Sequence, residues 1–368
     1  MFDRRLVQNF DWLLVGLVFL ITAMGIVNLY SAGFNRQLEG STPVYLKQMY
    51  WLAGGLFLML IMLLYDYRHL EKLAIPVYLL SLALLVAVLF FGKMVAGSRR
   101  WLILGPVSFQ PAELAKIGLM LMLARYFNRR PRLGPMRLKN LFIPLLLMLP
   151  PFLLIVKQPD LGSAMLVLLL AGSMLLFVGV HWRTVVGGGL SFIILTPVIW
   201  RFLKDYQKQR VLTYLNPEGD PLGAGYHIIQ SKIAVGSGMF WGKGFLQGTQ
   251  SQLSFLPEQH TDFVFSVFAE EWGFMGSAVL LLLYLGLTLW GLQIARDCKE
   301  RFGYLLALGV SALLFWQVFV NMCMVTGMMP VVGIPLPLFS YGGSSLITTM
   351  LEVGILLNIR MRRFLFPG

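Results

Sequence analysis

A chain of 368 residues that is 57% hydrophobic and only 13% charged, with a mean hydropathy of +0.73, is not a water-soluble globular domain. Its net charge of +13 does not make it a nucleic-acid binder, because Lys and Arg fall mostly in short segments between apolar runs. Cys298 lies in a basic loop and Cys323 inside an apolar run, so no disulfide framework is expected.

Runs long enough to cross a hydrocarbon core of about 30 Å recur along the chain. In order they predict membrane-spanning helices near residues 12–31, 48–65, 74–92, 111–126, 141–156, 161–180, 184–202, 272–294, 304–325 and 342–359, ten in all. The expected fold class is an all-α polytopic membrane protein forming a single integral-membrane domain over residues 1–368. The first run has a basic start, but its apolar stretch of about 20 residues exceeds that of a cleaved signal, so it is read as a retained span. With the amino end inside, seventeen Lys and Arg occupy the short inside segments, among them Arg4, Arg5, Arg132 and Arg137. Six, including Arg36, occupy the short outside loops. That asymmetry predicts both termini in the cytoplasm and the long segment 204–271, between spans seven and eight, outside.

Polar residues collect on the predicted outer side, where ionisable groups at membrane depth are costly and usually have a function. In SRRWLILGPVSFQPAELAK, Pro111 suits a first helical turn, and Glu113 and Lys116, three apart, share a helix face. They read equally as a structural brace or as part of a polar cavity. Asp160 in KQPDLGSAM begins the sixth span and suits a helix cap. Segment 204–271 is too long for a simple connection. Within it, YHIIQSKIAVGS places Tyr226, Ile229 and Ile233 on one face, as a short interfacial helix would.

GSGMFWGKGFLQGTQ follows, and its glycines allow either a flexible turn series or close backbone approach to an anion beside Lys243. FLPEQHTDFVF then sets Glu258, His260 and Asp262 directly before an apolar helix, with Asp262 either a cap or a functional carboxylate. SYGGSSL offers free amides and hydroxyls at the start of the last span, suiting phosphate binding or simple helix initiation. The histidines show no zinc-binding spacing.

These segments, together with QRVLTYLNPEGDPLGAGYHIIQSKIAVGSG and MPVVGIPLPLFSYGGSSL, resemble the shape, elongation, division and sporulation (SEDS) glycosyltransferases over residues 97 to 354, and GKGFLQGTQSQLSFLPE resembles the elongation-type wording of the family. The resemblance implies a ten-span enzyme of the bacterial cytoplasmic membrane that polymerises lipid II into peptidoglycan strands on its outer face. It identifies Asp262 with the family's essential aspartate, acting as general base in an inverting displacement. Arg100, Glu113, Lys116 and Asp160 match polar positions of its cavity. Arg210 and Lys243 are further candidates for the anionic donor. No organic cofactor is implied, and a divalent cation, Mg or Mn, is one source of leaving-group stabilisation. Implied partners are lipid II, the growing strand, a class B penicillin-binding transpeptidase and other membrane proteins of the rod complex. Met239 departs from the glycine many members carry after GSG, and Glu352 matches no catalytic motif. A lipid flippase or a non-enzymatic scaffold are the competing classes; the first calls for internal repeats, which are not evident, and the second leaves the converging acid and glycine motifs unexplained.

Overall fold

The protein is described by a computed structural model covering residues 8–34, 42–95, 98–105, 107–130, 136, 138–202, 205–220, 223–253, 255 and 258–363. Arg4, Arg5, Arg36, Arg132, Arg137 and Lys204, together with Leu256 and Pro257 of the FLPEQHTDFVF motif, lie outside these residues.

Three long helices open the chain: α1 (Trp12–Ala32), α2 (Val44–Leu64) and α3 (His69–Phe91). Asp11 caps the first, its Oδ1 accepting from the Leu14 amide at 3.0 Å. A small antiparallel sheet follows, made of β1 (Lys93–Val95), β2 (Ser98–Leu104) and β3 (Val107–Phe109), with β2 central. It leads into α4 (Pro111–Arg129), α5 (Leu138–Lys157), α6 (Leu161–Val178) and α7 (Trp182–Phe202). The segment after α7 contains α8 (Asp205–Leu215), α9 (Ala224–Ser237) and the single turn α10 (Thr249–Gln252). Three helices close the chain: α11 (Val264–Asp297), α12 (Arg301–Val325) and α13 (Gly343–Arg362).

Each of the ten predicted spans falls on a helix, and eight of these helices are apolar and long enough to cross a membrane by length and composition. The remaining two are α4 and α7. Helix α4 carries Glu113, Lys116, Arg125 and Arg129 and is buried around most of its circumference, so Glu113 and Lys116 face protein rather than lipid. None of the described side chains of α7 is buried. Elsewhere the outward faces carry Trp12, Phe19, Phe90, Phe57 and Leu282, the apolar surface a bilayer solvates.

The centre is α12, packed against α11, α6 and α4, while α13 packs along α2 and α3 along α4. Small residues permit these close crossings: a Cβ at Gly309 would collide with Met120, and one at Gly55 with Met350. Side-chain amides and hydroxyls join elements far apart in sequence. Asn28 donates to the Val264 carbonyl at 3.0 Å, Tyr284 to the Pro337 carbonyl at 2.6 Å and Gln158 to the Leu85 carbonyl at 3.0 Å.

The eighth span differs from its expected bounds. Helix α11 starts at Val264 rather than near 272 and changes direction at Gly273, whose φ of 62° only glycine adopts without strain. The expected interfacial helix forms as α9, but its buried face is Ile228, Ser231 and Ala234, directed at α11 and α12, while Ile233 stays exposed. Ser231 lies 2.8 Å from the Ser266 hydroxyl and donates to the Val325 carbonyl at 2.6 Å.

Candidate active site at the start of α11

Residues 258–263 form a tight turn in which the amides of Thr261 and Phe263 both donate to the Glu258 carbonyl, at 3.1 and 3.4 Å. Phe263, Val264 and Phe265 are buried and anchor this turn in the bundle. Asp262 is therefore held at the junction of a polar segment and an apolar helix, with partial solvent access. It makes no side-chain cap: Phe263 is the N-terminal flanking residue of α11, and no side-chain capping bond forms there. The capping alternative for Asp262 has no structural support.

Four charged groups act on the Asp262 carboxyl, which burial pushes up to about 6. Arg100 from β2 opposes that rise, Glu258 and Asp160 add to it, and Arg210 from α8 opposes it. The structure thus brings together Asp262, Arg100, Asp160 and Arg210 from four separate stretches of chain. The Arg100 Nε is buried with no hydrogen-bond partner among the described residues, leaving donor capacity for an anion.

Asp160 has a structural duty as well. Its Oδ1 accepts from the Ser163 amide at 3.1 Å, the expected cap of α6, and its Oδ2 accepts from Ser163 Oγ and Gln110 Nε2, each at 2.9 Å. The Gln110 amide donates to Ser344 Oγ at 3.2 Å, and Ser344 Oγ donates to the Ser108 carbonyl at 3.1 Å. Ser344 of SYGGSSL is accordingly engaged in joining the sheet to α13.

The wall opposite Asp262 is the loop between α12 and α13. Gly333, at φ 71°, lacks a Cβ that would stand 3.2 Å from Asp262 Oδ2. Gly162 lets the same loop rest on the first turn of α6, since a Cβ there would be 2.6 Å from the Val332 carbonyl. Asn321 of α12 donates to the Asp262 main-chain oxygen at 2.9 Å.

Glu113 and Lys116 form a second, separate cluster inside the bundle. Lys116 Nζ meets Glu113 Oε1 at 2.8 Å, and the residues are 1% and 5% exposed. Thr348 Oγ1 donates to Glu113 Oε2 at 3.0 Å, and Glu352, also buried, lies within charge range of both. Glu352, which sequence reading left unassigned, is thus a second carboxylate beside Lys116. Its only signal in the sequence was an ionisable residue inside an apolar span.

Lys243 stands apart from Asp262. Its ammonium donates to Glu270 Oε1 at 2.7 Å and to Thr249 Oγ1 at 2.8 Å, while Glu270 Oε1 also accepts from the Gln250 amide at 3.0 Å. The adjoining glycines serve close contact between backbones: the amides of Lys243 and Gly244 donate to the carbonyls of Glu270 and Glu271 at 3.0 Å, and a Cβ at Gly238 or Gly242 would collide with α11. Glu271 in turn accepts from Ser31 of α1. Glu270 and Glu271 are thus the residues that dock the glycine-rich loop, a role that two acids placed between apolar residues did not disclose.

Among the described residues, no group of three or more His, Cys, Asp or Glu side chains is placed to hold a metal ion. Glu258 and Asp160 act on Asp262 through charge but are not grouped with it as ligands, and two arginines share its surroundings, which does not fit a resident Mg or Mn site.

A multi-pass helical membrane protein with one ionisable cluster at the start of α11 is the class these features define. The chain belongs to the FTSW_RODA_SPOVE family of cell cycle proteins, whose model matches residues 11–364, and this is the SEDS family that its motifs resemble. It is 50% identical to the peptidoglycan glycosyltransferase MrdB of Escherichia coli K12, over 85% of this chain and 84% of that one. It is 34% identical to the peptidoglycan glycosyltransferase RodA of Treponema pallidum, over 98% and 99%. Its fold matches the solved structure of Thermus thermophilus RodA with a TM-score of 0.72 and 35% identity, covering 96% of this chain and 98% of that one. A chain of a peptidoglycan synthase complex that coordinates polymerization and crosslinking matches with a TM-score of 0.84 and 39% identity, over 96% and 98%.

Proposed function

We propose that this chain is a peptidoglycan glycosyltransferase that polymerises lipid II into glycan strands for cell elongation, with Asp262 as general base. The relatives that carry this activity in their names support the reaction class. The observation that carries the residue assignment is the half-buried Asp262 carboxylate, of raised basicity, beside the arginines Arg100 and Arg210.

The reaction forms a bond from an acceptor sugar hydroxyl to the anomeric carbon of the donor and breaks the bond from that carbon to the lipid pyrophosphate. Asp262 takes the hydroxyl proton as the new bond forms, a contribution of about 10²- to 10⁴-fold for a positioned base. A carboxylate with a pKa near 6 is mostly ionised at neutral pH yet a stronger base than an ordinary aspartate. Arg100 and Arg210 offset charge on the departing pyrophosphate, and the unused Arg100 Nε suits one of its oxygens. A single displacement inverts the anomeric centre and needs only this one carboxylate as base. Asp160 holds the start of α6 and its charge raises the basicity of Asp262. The buried Glu113–Lys116 pair keeps α4 and α13 in register behind the site. Lys243 supports the reaction by fixing the loop at residues 238–252 to α11.

The excess of basic residues in the short inside segments puts both termini in the cytoplasm and Asp262 on the outer face of the cytoplasmic membrane. The partner expected is a class B penicillin-binding transpeptidase that crosslinks the strands, in keeping with the similarity to a complex coupling polymerization and crosslinking. Purified chain incubated with lipid II, with and without that transpeptidase, should yield glycan polymer. Movement of labelled lipid II across vesicle membranes without polymer would replace the transferase with a flippase. Neither activity would leave a scaffold.

A further inference from the structure

Asn321 lies in the apolar run QVFVNMCMV of α12 and is fully buried. A primary amide inside a membrane bundle is expensive unless its donors are satisfied. Its Nδ2 donates twice: to the Asp262 main-chain oxygen at 2.9 Å and to the Ile334 main-chain oxygen at 2.7 Å. One side chain therefore staples the turn carrying Asp262 to the loop that faces it. The next residue back in that loop is Gly333, whose missing Cβ leaves room for Asp262 Oδ2. The backbone around Gly333 is the surface against which the carboxylate is set.

We infer that Asn321 is a positioning residue for Asp262, holding its carboxylate against the Gly333 wall and in register with Arg100 and Arg210. This rests on the reading of Asp262 as the base. Asn321 touches neither reacting atom and acts only through two carbonyls, so its effect lies in where the base stands. The charged groups facing Asp262 are Arg100 on β2, Arg210 on α8, Asp160 before α6 and Glu258 in its own turn. Releasing the staple shifts the turn relative to Arg100, Arg210 and Asp160 and admits more water to the carboxylate.

The test uses the full chain in lipid vesicles, with lipid II as substrate and Asp262→Asn measured alongside. Asn321→Ala is expected to fold and insert, to keep KM for lipid II within about twofold, and to lose about 10²-fold in kcat, the cost of a misplaced catalytic group. The acid limb of its pH–rate profile should move to lower pH as the carboxylate is rehydrated, which loosened packing remote from Asp262 would not produce. Gly333→Ala, which pushes on the carboxylate from the other side, should also lower kcat with little change in KM. Parental kcat in Asn321→Ala, while Asp262→Asn is inactive, overturns the inference and leaves the base reading standing. Parental kcat in Asp262→Asn removes the base reading and the inference together. Failure of both the Asn321 and Gly333 variants to fold would mean that the staple serves the bundle rather than the carboxylate, and would also overturn the inference.

Discussion

Lys116→Met keeps most of the length of the side chain on α4 and removes its charge, which leaves Glu113 and Glu352 buried near one another without Lys116 as their cation. At the observed 2.8 Å separation, an effective dielectric of about 20 gives the Glu113–Lys116 attraction a gross value of about 6 kcal/mol. Desolvation of both ions offsets much of that, but removing one partner strands the other, at a cost of about 3–5 kcal/mol. The expected loss of unfolding free energy is therefore about 3–5 kcal/mol for Lys116→Met. Glu113→Gln should cost less, because Glu352 remains as a counter-charge for Lys116 and a glutamine still accepts from Thr348. Glu352→Leu should cost least, since Glu113 and Lys116 stay paired. Converting all three together to Met, Gln and Leu should recover much of the loss, because apolar packing in place of a buried ion network is often neutral or better. Equilibrium unfolding in mixed micelles measures these differences. If Lys116→Met is as stable as the parent, or the triple variant is no better than Lys116→Met alone, the cluster is not a desolvated ion network.

Four further outcomes can be measured. The polymerisation rate should rise with pH through about 6, because a general base at Asp262 acts only when ionised and burial raises its carboxyl to that value. The linkage has a definite sign: the folded state holds this proton more tightly than the unfolded chain. Asp262 thus costs stability above about 6, and Asp262→Asn should raise the melting temperature at pH 7.5 with a difference that shrinks towards pH 4. Gly273→Ala forces a non-glycine residue to φ 62° and drives its Cβ into the Gly242 backbone; limited proteolysis should show the loop at residues 238–252 released from α11. A cysteine introduced at Gly219 should react with an impermeant reagent on intact cells, and labelling only after the cells are opened would reverse the orientation.

The ten long helices were legible because membrane solvation demands long apolar runs with internally satisfied backbones, and nothing else in the sequence produces that pattern. An acid at the doorstep of such a run marked Asp262 as either a cap or a functional carboxylate, and only the family resemblance singled out the second. The extent of α11 was not, because Glu270 and Glu271 interrupt hydropathy where the helix continues, and only the docked loop explains their burial. The sheet at residues 93–109 escaped notice because its strands are short and β1 pairs with an irregular register. Spacing along α4 paired Glu113 with Lys116, but no periodicity could place Glu352 beside them from another helix. The same holds for Lys243: its glycine-rich surroundings suggested an anion, whereas its partner, Glu270, lies 27 positions on, beyond any local pattern.

Lipid II polymerisation by Asp262→Asn, compared with the parent under identical conditions in vesicles containing the proposed transpeptidase partner, tests the central claim most directly. Asparagine keeps the size of the side chain and removes its basicity, while the Asn321 bond to the main chain is untouched. The account predicts folded, membrane-inserted protein whose glycan polymer forms at least about 10²-fold more slowly, the lower end of a general-base contribution. Polymer formed at the parental rate would contradict it.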